Sequence, residues 1–205
     1  MNGASGRLPP LRGFFSSHGV DRLWVLLAVA AWGSTFVATS WTLPRWADTH
    51  GPNVFPLENL GVAMLAVAAS VHAAVLFSGV EWMHATSARS RAWLRTLWWA
   101  THAAVGLVAA AVLGKLAMSD VQTGQIPGIW LVMYLLATIG LCAGGRAAAA
   151  AVPFISVVML SATSTVPWRY NIYFNPDCAP LLLQVIAVLT PVGLYCYLKV
   201  VTDLS

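Results

Sequence analysis

The sequence predicts an all-α polytopic membrane protein, with six transmembrane helices in one bundle and both termini on the inner, positive side. Three observations predict it. The 205 residues are 59% hydrophobic and only 9% charged, with a mean hydropathy of +0.73, whereas a water-soluble domain carries about 25% charged residues. The apolar residues fall into six runs, each near the ~20 residues that a helix needs to cross a hydrocarbon core ~30 Å thick. The Lys and Arg residues divide eight to three between alternate ends of those runs, and the richer side is the inner one. The same composition excludes a disordered chain, a collagen, a coiled coil and a sequence-specific nucleic-acid binder, so no nucleic-acid partner is expected.

Residues 1–22 form a basic tail with Arg7, Arg12 and Arg22. It reads as a positive-inside anchor rather than an import segment, because it has neither an amphipathic helix nor an apolar core with a cleavage site. Residues 23–205 form the transmembrane domain. The spans are Leu23–Leu43, Leu57–Gly79, Thr96–Met118, Pro127–Ala143, Ala147–Val166 and Leu181–Val200. Each must be a helix because lipid offers no partner for backbone N–H and C=O groups. Pro44, Pro56, Pro127, Pro167 and Pro180 fall at the boundaries, where a missing N–H costs little. Arg89, Arg91, Arg95, Arg146 and Lys199 join the tail on the inner side, and Arg45, Lys115 and Arg169 lie opposite.

Trp24, Trp41, Trp46, Trp82, Trp93, Trp98, Trp99 and Trp168 lie near the proposed span ends, as rings anchored at headgroup depth would. The Ala147–Ala151 run allows close helix approach. No internal repeat is present. Cys142, Cys178 and Cys196 form neither a disulfide framework nor a zinc site, being odd in number and widely spaced.

Ionisable residues at depth are the default place to look for chemistry, because burying them is expensive. Folding the second and third spans as a hairpin places His72 level with His102 and Glu58 level with Lys115. At about 100° per residue, Glu58 and His72 share a face while His102 and Lys115 lie about 140° apart, so both level pairs cannot face each other across straight helices. The chemically specific reading of His72 and His102 is bis-imidazole ligation of a haem, with Gly61 and Gly106 making room. The plainer reading has each imidazole hydrogen-bonded to a neighbouring helix or touching a partner subunit.

Glu81 and His84 form an E-x-x-H pair, a carboxylate and an imidazole on one helical face that could hold a metal. Di-iron carboxylate sites need two such motifs and two further acids. Glu58 is a proton-binding carboxyl in a transporter reading and a helix-capping acid otherwise. The aromatic stretch Pro167–Pro180 reads as a membrane-surface belt or a docking surface, or as a cap over a lipid or quinone pocket through Trp168, Tyr170, Tyr173 and Phe174. Pro153 and Pro191, inside the fifth and sixth spans, kink them and free carbonyls.

Leu26-Leu27-Ala28-Val29-Ala30-Ala31-Trp32-Gly33-Ser34-Thr35-Phe36-Val37-Ala38-Thr39 resembles the opening helix of drug/metabolite transporters of the EamA type. The resemblance covers fourteen residues. That family has ten helices in two repeats, against six and no repeat here, so neither activity nor residues carry over from it.

These readings lead to one expectation: a non-catalytic integral membrane subunit of a larger complex, respiratory or otherwise energy-transducing, with the lipid bilayer and other membrane subunits as partners. Its membrane would be a bacterial plasma membrane or a mitochondrial inner membrane. The alternatives are an electron-transport cytochrome using His72 and His102, and a small-solute transporter using Glu58.

Overall fold

The computed structural model describes residues 22–39, 60–77, 88–117, 124–161 and 166–203. Among them every regular element is helical. Helix α1 spans Arg22–Ala38, α2 spans Leu60–Ala74 and tightens into a 3-10 turn at Val75–Phe77, and α3 spans Ala88–Ala117. A long helical stretch follows at Ile126–Ser161, broken at Gly144 and Gly145.

Gly145 has φ 71° and ψ −160°, a region essentially reserved for glycine. The chain reverses there. A Cβ built on Gly140 would lie 2.6 Å from the carbonyl oxygen of Ala148, although residues eight apart in a straight helix are separated by about 12 Å. The stretch is therefore a tight hairpin of α4 (126–143) and α5 (146–161), with Arg146 exposed beside the turn. Two short 3-10 turns, Trp168–Tyr170 and Pro176–Cys178, lead into α6 at Ala179–Asp203.

Arg95–Leu116, Ile126–Ser161 and Pro176–Lys199 are long and apolar enough to cross a membrane, and α1 and α2 are shorter apolar helices. Hydroxyls inside the helices bond back to the preceding turn: Thr35 to the Ala31 carbonyl, Thr138 to that of Tyr134 and Thr190 to that of Ile186, at 2.7, 2.9 and 2.7 Å. This lets a polar side chain lie in an apolar helix without an orphaned donor.

Helix α2 lies at the centre, packed on α1 and on the α4–α5 hairpin. The fully buried core includes Leu65 and Leu76 beside Trp130, Met133, Tyr134 and Leu135 of α4, with Tyr197 of α6. Helix α6 rests on α4 through one face: Leu182 packs at Gly128 and Leu135 packs at Gly193.

Three expectations change. Helix α3 begins eight residues before Thr96, so Trp98 and Trp99 lie about three turns inside it and are buried rather than serving as interface anchors. Arg95, expected in a loop, is an interior residue of α3 and only 4% exposed. In the segment 166–178, Ile172, Tyr173 and Phe174 are buried, while Arg169 and Tyr170 stay exposed with the guanidinium over the phenol ring.

That segment is held by its own amides. Asn171 Nδ2 donates to the Leu160 carbonyl at 2.8 Å and Asn175 Nδ2 to that of Trp168 at 3.1 Å, while Gln125 Nε2 donates to that of Pro176 at 2.7 Å. The Tyr173 hydroxyl meets Ser156 Oγ at 2.9 Å, and burial pushes its phenol up to about 12.

Candidate functional site

Four helices converge on one aromatic cluster. Helix α1 supplies Trp24 and Trp32, and α2 supplies His72. Helix α3 supplies Trp98 and His102, and α4 supplies Trp130 and Tyr134. The last two pairs each have a spacing of four, which stacks side chains on one helical face. Trp130 and Tyr134 are accordingly parallel, with centroids 5.3 Å apart and planes 12° apart.

The geometry centres on the two imidazoles. His72 and His102 are buried, and their Nδ1 atoms lie 3.4 Å apart. The Trp32 indole Nε1–H donates to His72 Nε2 at 3.2 Å. Trp24 meets both imidazoles edge to face, with centroids 5.6 Å from His72 and 5.4 Å from His102. Trp98 packs at 4.5 Å on His102 and Trp130 at 5.6 Å on His72, both near perpendicular. A Cβ on Gly106 would overlap the benzo ring of Trp130, so the missing side chain, one turn beyond His102, is what admits the indole to the cluster.

The contacts determine the tautomers. An indole N–H can only donate, so His72 Nε2 carries a lone pair toward Trp32. A neutral His72 then holds its proton on Nδ1 and donates it to His102 Nδ1, which leaves the His102 proton on Nε2. Each ring thus has one accepting nitrogen, and both are occupied. The result is a chain of donors, Trp32 to His72 to His102, that ties α1 to α2 and α2 to α3.

Further bonds extend the same pattern. Trp24 Nε1–H donates to the Val71 carbonyl at 3.2 Å, and the Tyr134 hydroxyl donates to that of Trp99 at 3.0 Å. Pro153 of α5 has no N–H to offer the Ala149 carbonyl. Ser70 of α2 fills the gap with its Oγ 3.0 Å from that oxygen, sharing its proton with the Ala66 carbonyl of its own helix at 2.7 Å.

As folded, the direct Nδ1–Nδ1 contact leaves no slot for a porphyrin between the rings, and Trp24 lies against both of them. A haem at this pair requires the helices to part and the indoles to move. Glu58, Glu81 and His84 lie outside the described residues, as do Trp41, Trp46 and Trp82. Lys115 is exposed near the end of α3. Among the described residues no group of three His, Cys, Asp or Glu could hold a metal ion.

Sequence reasoning singled out the two histidines but not Trp32, Trp130, Tyr134 or the Ser70–Ala149 link. The available signal was position, and for Trp32 alone: it lies near the middle of its span, away from the ends where an anchoring ring would be placed, whereas Trp130 lies three residues inside the Pro127 end. Compared with known proteins, the chain matches no family model, no curated protein and no solved structure.

Proposed function

We propose that the chain is a non-catalytic integral membrane subunit of a larger membrane complex, crossing the bilayer six times with both termini inside. One observation carries this reading: Trp32, His72, His102 and Ser70 use their polar groups to link helix to helix across α1, α2, α3 and α5, while α6 turns an exposed face bearing Gln184 away from the bundle. The first half describes a scaffold, since a ring nitrogen already accepting a hydrogen bond is not poised as a base. The second describes a chain whose packing is completed from outside. The reversal at Gly144–Gly145 supports two crossings within Ile126–Ser161, and the eight-to-three division of Lys and Arg supports the orientation.

Extraction in a mild detergent followed by native sizing tests the assembly. The expected result is a particle much larger than one 21.9 kDa chain with its micelle; a stable single copy overturns the reading. Topology is tested by membrane-impermeant thiol labelling in intact cells. Ser5→Cys and Ser205→Cys should be protected and Asp177→Cys labelled.

A second reading keeps His72 and His102 as axial haem ligands, because the fold does bring the two rings together. It predicts a Soret band in protein expressed with haem supply, lost in the His72→Ala/His102→Ala double variant. The absence of the band removes it.

A further inference from the structure

Helices α4 and α6 pack in parallel with a constant register. Leu182 lies 2.8 Å from a Cβ built on Gly128, and Ile139 lies 4.0 Å from one built on Gly193. Each of these pairs is 54 residues apart in sequence, so the two helices run the same way and stay level over about three turns. The same offset, carried one turn further, pairs Cys142 of α4 with Cys196 of α6. Gly128 to Cys142 and Leu182 to Cys196 each span fourteen residues, the two-heptad spacing that keeps a seam facing its partner when two helices wind gently together.

The side chains agree with the register. Cys142 and Cys196 are both half-buried free thiols, and the Cys142 thiol lies within electrostatic range of Cys196 and of the adjoining Tyr197 phenol. Glycines on both helices keep the contact close. Facing Cα atoms on axes ~8–10 Å apart come within about 6 Å of each other, inside the roughly 4.4–6.8 Å that a disulfide spans. Cys178 is the odd thiol: it donates to the Arg169 carbonyl at 3.2 Å and lies about 27 Å from Cys196 at 1.5 Å per residue. The wide spacing that spoke against a disulfide in the sequence is bridged by the packing of α4 on α6.

We infer that Cys142 and Cys196 are a reversible dithiol–disulfide pair that fastens α6 to α4. This requires neither the subunit reading nor the haem reading. Helix α6 is the element such a bond would hold, since 17% of its apolar stretch is buried inside the chain, against 61% for Ile126–Ser161. Its Pro176 end is already tethered by Gln125, and the bond closes the Lys199 end. The oxidant is a lipid-soluble hydroperoxide, which suits half-buried thiols on an apolar seam. One sulfur, as thiolate, attacks the terminal peroxide oxygen; the O–O bond breaks, the alkoxide takes up the proton to leave as an alcohol, and the sulfur becomes a sulfenic acid. The second thiolate attacks that sulfur, the S–S bond forms, and hydroxide leaves with the second proton as water. Two thiols and one hydroperoxide thus give one disulfide, one alcohol and one water. A thiol reductant reverses the bond by exchange.

The test uses native membranes carrying the Cys178→Ser chain, treated with cumene hydroperoxide, blocked with N-ethylmaleimide and digested with trypsin in denaturing detergent. Trypsin cuts at Arg146 and Arg169, between the two cysteines. The expected result is loss of alkylation at Cys142 and Cys196 together, with their peptides joined to each other within one chain and released by dithiothreitol. Adding Cys142→Ser/Ala143→Cys swings the thiol about 100° around α4 and should abolish the joined peptides. Thiols that both stay alkylated, that oxidise separately to sulfonic acids, or that pair with another chain overturn the inference. Joined peptides in equal yield from the shifted variant overturn it as well, because the register would then not select the pair.

Discussion

The α4–α5 stretch and α6 are built from equally apolar sequence, yet they are packed in opposite ways. Helix α4 is surrounded: Trp130, Met133, Tyr134 and Leu135 are fully buried, and its hairpin partner α5 has its proline-freed carbonyl met by Ser70. Helix α6 touches α4 along one side and exposes the other, including Gln184 and the carbonyl freed by Pro191. The difference teaches that, in a bilayer, hydropathy does not separate a helix buried in protein from one facing lipid, because lipid tails are as apolar as leucine. What separates them is how far neighbours within the chain surround them, and whether the carbonyl freed by a mid-helix proline is met from within the chain.

The comparison breaks most visibly at Trp130. Trp130→Ala removes the ring that stacks on Tyr134, meets His72 and fills the space beside Gly106. Losing a fully buried indole costs about 3–5 kcal/mol in a packed core, and equilibrium unfolding in mixed detergent should show it. Gly106→Ala approaches the same damage from the other side, at about 1–3 kcal/mol for overpacking. Val108→Ala, on the exposed side of α3, should be close to neutral.

The two prolines sharpen the comparison at the next level. Ser70→Ala should destabilise the fold by about 1 kcal/mol, the usual size of an interhelical hydrogen bond in a membrane bundle. In a Pro153→Ala background, where an N–H returns to the Ala149 carbonyl, the cost of Ser70→Ala should shrink. Non-additivity in that cycle is the signature, and strict additivity would mean that Ser70 stabilises α2 by some other route. Gln184→Ala should leave the stability of the isolated chain unchanged, since nothing inside the chain depends on it.

How much of this was legible in the sequence follows the same division. The six apolar runs were visible because length and charge alone specify them, and the shared depth of His72 and His102 followed from counting outward from a hairpin turn. Trp98 and Trp99 were misplaced because a helix start cannot be read to within a turn when Arg89, Arg91 and Arg95 suggest a loop. The orienting role of Trp32, and the pairing of Ser70 with a carbonyl 79 residues away, depend on which faces meet. A mid-helix proline announces an unmet carbonyl but not the residue that meets it. For His72 and His102 the donor order predicts an observable state: nitrogen NMR should show His72 protonated on Nδ1 and His102 on Nε2. His72→Leu should cost about 1 kcal/mol and remove the Trp32 link with the His102 one.

The smallest expected effect lies in the 166–178 segment, which is held by the side-chain amides of Asn171 and Asn175. Tyr173 is buried there with its hydroxyl on Ser156, and its phenol is raised from the ordinary 10 to about 12. Desolvation is the main cause, because burial disfavours the phenolate. A group whose neutral form is favoured by folding gives its full stabilisation while it is protonated in both states, which holds below about pH 10. As the pH rises toward 12 the undocked segment ionises first, so docking weakens across that interval. Tyr173→Phe keeps the ring, loses the contact with Ser156 and should cost about 1 kcal/mol at neutral pH. The difference between the wild-type and Tyr173→Phe tyrosinate absorbance titrations isolates this one phenol. A midpoint near 12 places it inside the docked segment, whereas a midpoint near 10 would mean that the segment stands away from the bundle and that Ser156 does not hold it.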